Sequence, residues 1–65
     1  MSMDSRSAVR SALRASQVTY DRTGSVTRAT AAAFETCRSY GMSYAESERI
    51  AQWTARTILT HHFRD

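Results

Sequence analysis

Apolar side chains in this chain recur every three to four positions, and no segment alternates apolar and polar residues with β-branched content, so the pattern predicts helices and no strand. Three helices are expected, over about 5–22, 26–40 and 44–63. The short connections make a helical hairpin followed by a long C-terminal helix. The expected fold is all-α, a compact three-helix bundle forming a single domain over residues 1–65.

The boundaries rest on capping chemistry. Asp4 or Ser5 is suited to cap the first helix, with residues 1–3 frayed before it. In Thr23-Gly24-Ser25, the glycine can take the left-handed conformation that ends a helix and the serine can cap the next one. Gly41 closes the second helix, and Met42 stands where a Schellman ending places an apolar contact back onto it. Ser43 and Glu46 fit the capping box, with the serine hydroxyl accepting from a first-turn N–H and the glutamate reaching back to the serine N–H. Glu46 and Glu48 at the start of the third helix, and Arg56, His61, His62 and Arg64 toward its end, complement the helix dipole.

Projection at about 100° per residue gives each helix a face. In the first, Val9, Ala12, Leu13, Ser16 and Tyr20 share a side. The second groups Val26, Ala29, Thr30, Ala33, Cys37 and Tyr40, with Phe34 at the margin and Arg28, Glu35 and Arg38 outside, where a Glu35–Arg38 pair would contribute little. The third groups Tyr44, Ala51, Ala55, Ile58, Leu59 and His62, with Ala45 and Phe63 at its margin. Trp53 falls on the opposite side, near Ile50 and between Arg49 and Arg56. An indole there needs a second surface to cover it, or it stays half wet beneath arginine stems.

Composition sharpens the point. The chain has 65 residues and one cysteine, too few for a large core and too few for an internal disulfide, so self-association or docking on a larger partner is the expected reinforcement. Of the residues, 42% are hydrophobic, but many are alanine, and the packed volume is modest. All nine basic residues are arginine, and the net charge of +3 favours acidic partners without amounting to a nucleic-acid coat. No apolar run is long enough to span a bilayer and the start has no secretory-type apolar stretch, so a cytoplasmic protein without membrane contact is expected.

Arg6, Arg10 and Arg14 stack at four-residue intervals with no acidic residue three or four positions away. Their repulsion costs about 0.2–0.5 kcal/mol per pair. Compensation is expected from Glu35, Glu46 or Glu48 on another helix, or from an acidic ligand. As a functional row these guanidiniums would meet phosphates or carboxylates through paired hydrogen bonds.

Gly41-Met42-Ser43-Tyr44-Ala45-Glu46 resembles, over six residues, the lead-in to the first helix of a helix-turn-helix in sigma-factor-like regulators. That resemblance implies a turn about ten residues on and then a recognition helix, whereas Ile50 to Leu59 holds no breaker. If Gly41 were itself the turn, the third helix would be the reader, with Ser47 where such a motif takes an apolar side chain. The residues read first as a helix cap.

Cys37, His61 and His62 are the soft metal ligands present, and adjacent histidines on a helix point about 100° apart. No metal site and no cofactor is expected, and Cys37 reads as a small buried hydrophobe. There is no Gly-rich phosphate loop, Glu46 and Glu48 diverge on their helix, and a bundle of this size offers little concave pocket, so an enzyme is not expected. The expected function is binding: an adaptor, inhibitor or regulatory subunit that meets a protein partner or a second copy through Arg49, Ile50, Trp53 and Arg56, with Arg6, Arg10 and Arg14 steering toward acid. The alternatives are a nucleic-acid-binding module using the arginine row, and an accessory subunit of a larger enzyme.

Overall fold

The computed structural model describes the backbone of residues 5–63 and the side chains of residues 6–60. Asp4, the Ser5 side chain and Arg64, together with the side chains of His61, His62 and Phe63, lie outside the described residues, and with them the first-helix cap and part of the C-terminal charge pattern. Three helices follow in order, α1 (Ser5–Thr23), α2 (Val26–Ser39) and α3 (Tyr44–Phe63). They form a three-helix bundle without strands among the described residues, elongated at 41 × 18 × 18 Å. Helix α2 packs against both neighbours, whereas α1 and α3 touch least.

The caps form as their chemistry requires. Gly24 takes φ 68° and its N–H bonds the Tyr20 carbonyl at 2.7 Å, the single bond of a left-handed ending. Ser25 then caps α2, its hydroxyl accepting from the Arg28 N–H at 3.1 Å. Gly41, at φ 88°, donates to Arg38 O at 2.9 Å while Met42 donates to Cys37 O at 3.2 Å, which is the Schellman pair. Met42 packs back on the core cluster. At the start of α3, the Ser43 hydroxyl accepts from the Glu46 N–H at 3.2 Å and donates to the Glu46 carboxylate at 3.1 Å. The carboxylate therefore holds the serine hydroxyl in place of the expected serine N–H. Beyond this cap α3 runs unbroken to Phe63, with no turn that would begin a separate recognition helix.

The interior is a seam of small side chains. Ala8, Ala12 and Ser16 of α1 face Ala29, Ala33 and Cys37 of α2, and Ser47, Ala51, Thr54 and Ile58 of α3 complete it. Four-residue spacing on α1 and α2 lets each small ridge enter the groove of the other helix, and the backbones approach closely. Larger groups stand around the seam: Val9, Leu13, Tyr20, Phe34, Tyr40, Ile50 and Leu59 are partly buried. The hairpin is fastened across its helices by a hydrogen bond between the Ser11 hydroxyl and the Tyr40 phenol at 2.7 Å.

Two expectations are corrected here. The buried line of α3 is rotated away from the predicted face: Tyr44 is 63% exposed and Ala55 and Leu59 only partly buried, while Ser47 and Thr54 are wholly enclosed. Close packing selects small volume over hydrophobicity. The Thr54 hydroxyl meets its bonding requirement inside its own helix, at 2.7 Å from the Ala51 carbonyl, and so can enter the seam. The second correction is that Glu35 forms no pair with Arg38, whose guanidinium instead donates to the Met42 carbonyl at 2.9 Å.

Candidate partner-binding face

The rotation of α3 about the seam decides what it shows to solvent. With Ser47, Ala51, Thr54 and Ile58 turned inward, Arg49, Trp53 and Arg56 project from the far side and Ile50 lies at the boundary, resting against the core cluster. Because α1 and α3 hardly touch, a groove opens beside this edge. Its volume is about 440 Å³, and its walls are Arg49, Ile50, Gln52, Trp53 and Arg56 with Val9 contributed by α1. All four residues expected to bind a partner thus share one concavity. Trp53 remains 46% exposed. On its other flank a smaller hollow of about 240 Å³ is formed with Arg56, Thr57 and Thr60. The Thr57 hydroxyl is turned back onto the Trp53 carbonyl at 2.9 Å, so it does not compete for groups arriving at the indole.

The arginine row lies on the surface of α1, with Arg6, Arg10 and Arg14 all exposed. Each step of four residues drifts about 40° around the helix, so the row begins on the Val9 side and ends directly away from the seam. The compensation expected from Glu35, Glu46 or Glu48 does not reach Arg10 or Arg14, which have no carboxylate partner among the described residues. Glu46 is engaged by Ser43 instead.

Comparison with protein-family models, curated proteins and solved structures finds nothing that matches this chain. The side chains themselves carry the functional reading.

Among the described residues no three His, Cys, Asp or Glu side chains group around a common point that could hold a metal ion. Cys37 is fully enclosed, and burial pushes its thiol above the ordinary value, which keeps it protonated and unreactive. No helix among the described residues is long and apolar enough to cross a membrane.

A second concavity has no counterpart in the sequence reading. It lies between α2 and α3, holds about 510 Å³, and is lined by Val26, Thr30 and Phe34 on one side and Tyr44 and Ala51 on the other, with Glu35 and Glu48 among its walls. Phe34 and Tyr44 meet edge to face, centroids 5.0 Å apart at 72°. The residues were visible in sequence, but the groove is a product of how far apart the helices stand, which no periodicity encodes. The available signal was Tyr44 immediately after a cap, one turn before Glu48.

Proposed function

We propose that this protein acts by binding, as a small adaptor, inhibitor or regulatory subunit, and that its contact surface is the α1–α3 edge centred on Trp53. The observation that carries this is the indole, 46% exposed in a groove shared with Ile50, Arg49 and Arg56. Tryptophan and arginine together are the side chains that dominate binding energy in protein interfaces, and a concave, partly apolar setting is where they do so. The positive rim selects a partner surface rich in carboxylates, with Arg10 and Arg14 adding long-range attraction. A reducing compartment suits the enclosed Cys37 thiol.

The test is affinity capture from the native host with the wild type and with Arg49→Ser/Arg56→Ser. Both positions are exposed, so circular dichroism should be unchanged while the captured protein partner is lost. A partner retained in full by the variant refutes the assignment of this edge.

A nucleic-acid reading is favoured by one observation, the exposed row in which Arg10 and Arg14 have no carboxylate partner among the described residues. Titration with duplex and single-stranded DNA and RNA at two salt concentrations decides it. Phosphate contacts by the row would make affinity fall steeply with salt, and weak binding that ignores salt eliminates this reading.

A further inference from the structure

The α2–α3 groove plays no part in the function proposed above, yet its volume exceeds that of either hollow beside Trp53. Its floor is apolar, the Phe34–Tyr44 pair supplies aromatic surface, and Glu35 from α2 and Glu48 from α3 stand on opposing walls. Neither carboxylate has a hydrogen bond or ion pair among the described residues. Carboxylates above an aromatic and aliphatic floor are suited to guanidinium groups, which take charge-assisted hydrogen bonds at their edge and stack their planes on rings. The chain carries a matching element on the other flank of α3, where Arg49 and Arg56 bracket an exposed indole.

We infer that the α2–α3 groove receives the Arg49–Trp53–Arg56 edge of a second copy of this chain, joining copies head to tail. The inference rests on the reading of the Trp53 edge as a binding face, and it names the acidic surface that edge meets. Two features support the match. The charges are complementary, two arginines against two glutamates. In addition, the exposed large apolar side chains of the described chain are Val18, Tyr44 and Trp53, and two of these three lie one on each half of the joint.

A two-fold pairing of the Trp53 edges is disfavoured by the same residues. It would gather four guanidiniums around two indoles, and the carboxylate two turns before Trp53 on that face, Glu46, is already bonded to Ser43. Edge and groove adjoin along α3 at Gln52, which lines both, but the edge presents Trp53 and the groove Tyr44, so the two copies bring different surfaces to the joint. Contacts of this kind repeat into rings or open chains.

Three proteins test the inference: the wild type, an edge variant Arg49→Ser/Arg56→Ser, and a groove variant Glu35→Ser/Glu48→Ser. All four positions are exposed, and circular dichroism checks that each protein is folded. Sedimentation velocity is run from about 1 µM to about 1 mM at low and high salt, a range that covers weak association. The wild-type mass is expected to rise beyond that of two 7.3 kDa chains and to fall with salt, while Trp53 emission shifts to the blue as concentration rises. Each variant alone stays a monomer. An equimolar mixture of the two gives a complex of two chains that grows no further, because one intact edge meets one intact groove.

A wild type that stays monomeric to about 1 mM overturns the inference and leaves the Trp53 edge to be judged by host capture. A groove variant that associates like the wild type, or a mixture that stays monomeric, also overturns it. If the edge variant alone is then defective, the binding edge stands and only the groove assignment is lost.

Discussion

Two hydroxyls are sealed in the seam of α3, and their substitution should move stability in opposite directions. Ser47 Oγ is fully buried with no hydrogen-bond partner among the described residues, whereas Thr54 Oγ1 bonds the Ala51 carbonyl at 2.7 Å. An unsatisfied buried hydroxyl costs about 1–3 kcal/mol in lost hydration, and serine is a poorer helix former than alanine by up to about 0.7 kcal/mol. Ser47→Ala removes both penalties and leaves a void of one oxygen atom, for a net gain of about 1–2 kcal/mol. In a domain of this size each kcal/mol moves the melting temperature by about 4–8 °C, so a rise of about 4–16 °C is expected. Thr54→Val keeps the shape but discards a bond that contributes about 1 kcal/mol, and should lower the melting temperature by a few degrees. Thermal melts followed by circular dichroism, with urea titrations at one temperature, compare the two variants with the wild type. Equal signs for the two variants, or a Ser47→Ala protein no more stable than the wild type, would refute the account of the seam.

Ala33, with no exposed surface, has no room for growth: Ala33→Leu should cost about 1–3 kcal/mol or more by overpacking, enough to abolish cooperative melting where a small core supplies only about 3–5 kcal/mol. Gly24 sits at φ 68° with nothing within 4 Å of an added Cβ, so Gly24→Ala should lose about 1–2 kcal/mol from backbone conformation alone, and Gly24→Asn, which tolerates that conformation better, should lose measurably less in the same melts. The Cys37 thiol is raised by burial above its ordinary 9.0; the unfolded chain then loses its proton first, so this group's contribution is intact below about pH 9 and declines as pH rises toward the folded value. Urea titrations across that range should show an alkaline decline that Cys37→Ala lacks, and thiol-directed reagents should label the native protein no faster than it opens.

The helix limits were legible because they are written in local chemistry. Gly24 with Ser25, Gly41 with Met42, and Ser43 with Glu46 each satisfy backbone groups within a few residues, and the observed ends fall within one residue of those expected. The faces of α1 and α2 were also largely readable, since Ala12, Ser16, Ala29, Ala33 and Cys37 are small and regularly spaced. What misled was α3. Tyr44 and Leu59 dominate any hydrophobic average, yet a close helix contact admits Ser47 and Thr54 and pushes bulk outward. The Trp53 edge survived this shift of phase because the indole was already far from either version of the buried line. Val9 as a wall of its groove could not be foreseen, since it depends on how α1 and α3 splay.

The unequal contacts among the helices also set an order of disassembly. With α2 gripped on both sides and α3 barely supported by α1, the cheapest excursion swings the third helix away and leaves the hairpin paired through Ser11 and Tyr40. Such an opening bares Ala33, Cys37 and Ala51 together. In hydrogen exchange the amides of the middle helix would be the last to fade, and a partner arriving at Trp53 would hold shut the very hinge that thermal motion tests first.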